Sequence, residues 1–287
     1  MLDFKSHGYS ILATTNFLTD RLRAVRQDVV IQQMSPDFAI SLLKKIVRYH
    51  IMIRFLLYRE PIQEFDPVLN EQLLRSYLSD LFEFADQSGT KHNLDEFEAY
   101  RLLLNFNDEA FVARTMTSCL RDRPFFRISA PTSRCEHACA VYLSLMGKKY
   151  TRFYKMCERG FHFLENCCLF EMFTLVRVEM LNRLCLSYNN KHFKFNMNVF
   201  AEWLLFDDME QALIFLKHFE VKTDDTNRNI LFHEKKTFVF PSSTIERLDL
   251  VKQFTYNRLI GVKKEKQTLM ELVNKCKYKL IKIGIQG

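Results

Sequence analysis

Turn-forming residues are scarce in this chain, and that scarcity constrains its fold more than any other feature. Only seven glycines and six prolines occur in 287 residues. A sheet-rich protein draws on such residues at its many reversals, because they take positive or fixed φ at low steric cost. Long helices joined by few turns are therefore expected. The hydrophobic fraction of 48% supplies core for one large domain or two small ones and excludes wholesale disorder. Most of the 27 phenylalanines fall at helical spacing, where stacked helices need bulky side chains.

Ser35-Pro36 and Asp66-Pro67 each read as an N-cap followed by Pro at the first helical position, where its missing N–H costs nothing. Periodicity places helices over 10–33, 37–59, 68–87, 94–106, 108–119, 132–146, 149–157 and 161–188. Self-comparison at an offset of 42 aligns Tyr100 with Tyr142, Leu103 with Leu145 and Phe111 with Phe153. Hairpins of this kind bury their apolar faces only by stacking, which predicts a right-handed solenoid-like body.

After Tyr188 the pattern changes. Residues 191–195 alternate like a short strand, and helices are expected over 197–206 and 209–219. A capping box of Asp207 and Glu210 opens the second of these, with Leu213, Leu216 and Phe219 toward the core. Residues 229–233 and 237–240 then flank Glu234-Lys235-Lys236 as a two-stranded wing, closed by Pro241 and a second capping box, Ser243 with Glu246. Helix, strand, helix, helix, hairpin is the order of a winged helix. Three parts are expected: 10–164 as helical repeats, 165–241 as the winged helix and 242–287 as a basic helical tail.

No stretch approaches the 18 uncharged apolar residues a bilayer span needs; the best, residues 51–58, is eight long and holds Arg54. Residues 1–5 lead into no signal-type apolar segment, so a soluble protein of a reducing compartment, with no membrane partner, is expected. The eight cysteines fit that reading, since they lie within helical segments rather than in a disulfide framework. Phosphate-cradling glycine loops, H-E-x-x-H and G-x-S-x-G are all absent, which argues against an enzyme, a cofactor or a small-molecule substrate. Cys135-Glu136-His137-Ala138-Cys139 offers two thiols on one helix face, but a closed zinc site needs four ligands, so buried core thiols are the plainer reading. Asp207-Asp208 and Asp224-Asp225 lack an accompanying base or metal motif and read as caps and loops.

The net charge of +7 lies entirely in residues 251–287, which hold nine Lys or Arg against two acids. The plain reading is a solvated amphipathic helix; the sharper one is phosphate contact through Lys263, Lys264 and Lys266. Lys191, Lys194, Arg228, Lys235 and Lys236 flank the expected strand and wing, where convergence would make a sequence-tolerant RNA surface. Sequence-specific DNA reading is disfavoured, because residues 208–220 carry Asp208, Glu210 and Glu220 against Lys217.

Near the N-terminus, Asp20, Arg21, Arg23, Arg26 and Asp28 surround an apolar stripe of Leu18, Leu22, Val25 and Val29. Asp20 and Arg23 can pair at i, i+3, so structural ion pairing is the first reading and a partner or RNA surface the second. This segment resembles the D-R-x-R-x-x-R-x-D signature of the Sac-three/GANP family. Arg48-Tyr49-His50 resembles that family's R-[FY]-H helix, and Asn93, Glu96, Phe97, Tyr100, Leu102 and Leu103 match its N-x-x-E-F-x-x-Y-x-L-L run, in the same order. The likeness extends over about residues 10–262 and is greatest to the short, domain-only members.

The resemblance implies a mostly α fold: PCI-like stacked helical hairpins followed by a winged helix with a small β hairpin. It also implies a non-enzymatic scaffold of the TREX-two mRNA-export core, paired with a second PCI-domain protein and a small acidic subunit. Paired winged helices would then offer a platform for RNA or DNA, in nucleus and cytoplasm. The Phe-Gly repeats and the long C-terminal helix of larger members have no counterpart in these residues. Short members are linked to centrosome duplication and the spindle, which makes a centrosome/spindle adaptor without nucleic-acid binding the alternative.

Overall fold

The computed structural model describes residues 11–89, 93–122, 133–224, 226, 228–234 and 244–254. The described residues divide into two compact units, one ending at Arg101 and the other beginning at Leu102.

The regular elements of the first unit among the described residues are all helices: α1 (Ile11–Ile31), α2 (Pro36–Leu56), α3 (Pro67–Ser88) and most of α4 (Asp95–Leu103). Both expected Pro-headed starts are present. Ser35 precedes α2 without a side-chain cap bond, whereas Asp66 accepts from the amides of Val68 and Leu69 at 2.8 and 3.1 Å. Gly89 ends α3 at φ +62°, a conformation open to glycine without a Cβ penalty. Every residue from Tyr49 to Phe55 is buried, so α2 has neighbours on all sides and is the unit's central helix. Leu18, Leu22 and Val29 of α1 are buried and Val25 half-buried, as their stripe predicts.

The second unit continues with α5 (Glu109–Asp122), α6 (Arg134–Met146), α7 (Tyr150–Gly160) and α8 (Phe163–Ser187). Then come β1 (Phe195–Asn196), α9 (Met197–Trp203), α10 (Met209–His218), β2 (Lys222–Thr223), β3 (Asn229–Leu231), a single 3-10 turn over Phe232–Glu234 and α11 (Thr244–Phe254). Helices α6 and α7 pack as a hairpin, and α7 and α11 pack on α8. The strands form an antiparallel sheet in the order β1-β3-β2, with Phe195 and Thr223 on either side of Ile230. Phe195 anchors it, its ring 5.2 to 5.5 Å from those of Tyr188, Phe232 and Trp203.

Arg177 of α8 locks the end of this unit. It is 1% exposed, and its guanidinium donates to the carbonyls of Leu204 at 2.9 Å, Leu205 at 3.0 Å and Phe254 at 3.4 Å. The Phe206 ring lies 4.8 Å beneath it. Leu205 is held at φ +49°, a strained value for a branched side chain, and its carbonyl is one that Arg177 binds.

Four local expectations need correction. Only Phe195 and Asn196 of the 191–195 segment and its flank reach the ladder; Phe193 instead hydrogen-bonds back to Asn190 and stacks on Tyr188 at 4.8 Å. The cap of α10 is Asp208, which accepts from the Gln211 amide at 2.8 Å, one residue later than the expected box of Asp207 and Glu210. The buried face of α10 is Ala212, Phe215 and Leu216, so of the expected core series Leu216 is buried while Leu213 and Phe219 are half-buried. The strand expected over 229–233 stops at Leu231, and its hairpin partner is β2, a two-residue strand too short to show as a pattern. Residues 235–240, which hold the rest of the expected wing, and Pro241 and Ser243 lie outside the described residues.

Candidate functional site

Three consecutive residues of α2 reach three different helices. Arg48 forks onto Glu96 of α4 through Nε at 2.8 Å and Nη2 at 2.7 Å. Tyr49 donates its hydroxyl to the Thr15 carbonyl of α1 at 3.2 Å, and the Nδ1 of His50 lies 2.8 Å from Asn70 Oδ1 of α3. Successive helical residues point about 100° apart, so a central helix can hold three neighbours with three adjacent side chains. The R-[FY]-H run is thus a fastening device, which spacing alone does not disclose.

Each bond has a visible electrostatic consequence. Glu96 also accepts from Tyr100 Oη at 2.7 Å, and its hydrogen bond to Arg48 raises that guanidinium's pKa further. Phe97 is buried below Arg48, ring to guanidinium 5.0 Å, which accounts for the E-F-x-x-Y part of the third motif. His50 is fully buried, and burial, reinforced by the nearby Arg23 charge, lowers its pKa from 6.5 to about 4 against the opposing pull of Asn70. Asn70 returns an Nδ2 hydrogen bond to the His50 carbonyl at 3.3 Å, which directs its oxygen to the ring and puts the imidazole proton on Nδ1.

The α1 signature divides into two roles. Arg26 crosses to α3, where it pairs with Asp80 and donates to Ser76 Oγ at 2.9 Å, its guanidinium 5.4 Å from the Tyr77 ring. Asp20 and Arg23 pair locally at 3.7 Å, as the i, i+3 spacing predicts. Arg21 and Asp28 are exposed, Arg21 lying beside the half-exposed Phe17 ring at 5.9 Å. Structural ion pairing is therefore what Arg26 and Arg23 do, and Arg21 and Asp28 face outward.

In the second unit, Lys191, Lys194 and Arg228 are all exposed. The Arg228 carbonyl accepts from Met197 N at 2.9 Å, at one end of the β1-β3 pair. Lys194 precedes β1 at the other end, about 10 Å along the ladder by the strand rise. Exposed Lys222, paired with Leu231, stands at the Lys194 end and escaped sequence reasoning because its strand did. Asp224 ties the turn between β2 and β3: it accepts from the amides of Arg228 and Asn229 and from the side chains of Thr226 and Asn229. These bonds, the Asn229 side chain foremost, lower its pKa to about 2. Lys235, Lys236, Lys263, Lys264 and Lys266 lie outside the described residues.

Cys135 and Cys139 are buried, like Cys157, whose thiol pKa burial pushes up. His137 is occupied by the Met156 carbonyl, 3.1 Å from Nε2. Among the described residues no three His, Cys, Asp or Glu side chains converge as a metal site would require. Nor is any described helix long and apolar enough to cross a membrane.

The pattern that defines the SAC3/GANP family matches residues 3–225 of this chain, the stretch containing all three motifs just placed. The chain belongs to the SAC3/GANP family. SAC3 family protein 1 of Schizosaccharomyces pombe is 24% identical over 284 residues, covering 93% of this chain and 27% of the yeast protein. Protein xmas of Drosophila melanogaster is 25% identical over 225 residues, covering 75% of this chain and 10% of the fly protein. The chain thus corresponds to a minor part of each of these larger SAC3/GANP proteins. Within that family frame, the motifs of α1, α2 and α4 are chiefly the joints of a helical unit.

Proposed function

We propose that this SAC3/GANP chain is a non-enzymatic scaffold of nuclear mRNA export, acting in nucleus and cytoplasm like the core of a TREX-two complex. It pairs with a second PCI-domain protein and a small acidic subunit, and takes RNA as a secondary ligand. Family membership carries the reading. The geometry supports it in two ways. The order α8, β1, α9, α10, β2, β3 with the sheet order β1-β3-β2 fits a winged helix at the end of a PCI-like domain, with the Asp224 turn as its wing. Helix α10 opens with Asp208 and Glu210 and exposes Ile214, a face suited to a protein partner rather than to a DNA groove.

Affinity purification of the tagged full chain from nuclease-treated extract tests the pairing. Co-purification of a second PCI subunit with a small acidic protein is the expected result. Recovery of centrosomal proteins without that pair would replace the export reading by a centrosome/spindle adaptor. For RNA, the triple charge reversal Lys263→Glu, Lys264→Glu and Lys266→Glu is expected to weaken binding and flatten its salt dependence, and an unchanged slope would remove the tail from the RNA surface.

A further inference from the structure

Helix α7 carries a basic face that none of the family motifs includes. Residues 148–159 hold Lys148, Lys149, Arg152, Lys155 and Arg159 against one acid, Glu158. At 100° per residue, Arg152, Lys155 and Arg159 fall within an arc of about 60°, opposite the buried Tyr150, Phe153, Tyr154 and Cys157. All three are exposed, and none has a carboxylate within ion-pair distance among the described residues. Like charges gathered on one face repel one another, and that repulsion is relieved when a polyanion arrives.

Arg152, Lys155 and Arg159 themselves line an open hollow of about 470 Å³, together with His137, Met156 and Gly160. Its shape is built in. A Cβ on Gly160 would lie 2.2 Å from the His137 ring, so only glycine lets the imidazole lie over the end of α7. The Met156 carbonyl can only accept, which puts a proton on His137 Nε2, and the Phe161 ring meets the imidazole edge-on at 4.8 Å.

We propose that this face of α7 is a binding site for the phosphodiester backbone of single-stranded RNA. The inference rests on the RNA part of the proposed function but places the site away from the sheet. Two arginines supply planar forks that match phosphate oxygens two at a time, and Lys155 adds a point charge between them. The hollow gives sugar and base a shallow seat beside the His137 side chain. An acidic peptide would use the cations too, but would fill the hollow only where an aromatic side chain happened to neighbour its carboxylates, whereas every RNA nucleotide brings a phosphate and a flat base together.

The test is fluorescence anisotropy of a labelled oligouridylate with the full chain across a salt series. Two triple variants are compared, Arg152→Gln/Lys155→Gln/Arg159→Gln and Lys191→Glu/Lys194→Glu/Arg228→Glu, each checked for an unchanged thermal melt. Deprived of three cations that neutralise phosphates, the α7 variant is expected to bind at least about tenfold more weakly and to lower the log–log salt slope by about 2. Photo-crosslinking of thiouridine RNA to the wild-type chain, mapped by mass spectrometry, is expected to mark residues 148–160; it reads the site even where a variant misfolds. Loss confined to the sheet variant, with no crosslink on α7, overturns the α7 site and leaves the RNA reading standing. Polyglutamate of equal charge binding as tightly as RNA overturns it in favour of an acidic peptide. No RNA binding by the wild-type chain removes both.

Discussion

Acidifying the protein through the titration of His50 should loosen the first unit by an amount the structure sets. The ring is buried between α2 and α3, donates from Nδ1 to Asn70, and its Nε2 has no hydrogen-bond partner among the described residues. Its folded pKa is about 4, against 6.5 for an ordinary histidine. On acidification the unfolded chain takes up the proton first, so the stability this neutral ring contributes is complete above pH 6.5. It falls as the pH drops toward 4, below which both states are protonated and no more is lost. Proton linkage over that gap gives a loss of about 2 kcal/mol between pH 7 and pH 5, approaching 3 at lower pH. Urea denaturation at both pH values, on wild type and on His50→Gln, isolates the contribution, because the seven other histidines and all carboxylates are common to both. Glutamine keeps a donor for Asn70 but cannot titrate. Wild type should lose about 2 kcal/mol more than the variant over this range. An NMR titration of the wild-type imidazole supplies an independent reading. Equal pH dependence in the two proteins, or a ring that titrates near 6.5, would refute the reasoning.

Three further outcomes are expected. Arg177→Met strips the hydrogen bonds from the Leu204, Leu205 and Phe254 carbonyls and should cost about 3 kcal/mol or more in chemical denaturation, with the helix content of the folded state retained. Gly160→Ala drives a methyl into the His137 ring and should cost about 1–3 kcal/mol; most of that should vanish in a His137→Ala background, as a double-mutant cycle will measure. Arg48→Met and Glu96→Gln should couple by about 1 kcal/mol, less at high salt, because the pair is bidentate but partly exposed.

The helices were legible because their boundaries are chemically marked. Asp66-Pro67 fixed the start of α3 to the residue, and all eight expected helices before Tyr188 appear with ends shifted by three residues or fewer. Adjacent aspartates defeated the same logic at α10, since Asp207 and Asp208 are equally good caps and only packing of Phe215 and Leu216 chooses between them. Strands β1 and β2 are two residues each, shorter than a period-2 pattern needs to register. The signature of α1 disclosed its charges but not their destinations. Arg23 finds its mate within one helical turn, where spacing speaks; Arg26 finds Asp80, 54 residues away, where it is silent. The basic face of α7 leaves no mark on the overall charge balance, because residues 1–250 are neutral as a whole and conceal a local excess.

The anchoring of Arg177 also sets where this protein can be cut. One of its three acceptors, the Phe254 carbonyl, comes from the last described helix, 77 residues downstream. The Phe254 ring packs against Phe215 at 5.2 Å and His218 at 4.9 Å, so the same residue shields α10. A fragment ended at the 3-10 turn would keep all three described strands and yet bare an apolar face beside a cation short of one acceptor. Expression boundaries for the second unit therefore belong beyond Phe254, and shorter fragments should be sticky for reasons unrelated to any partner.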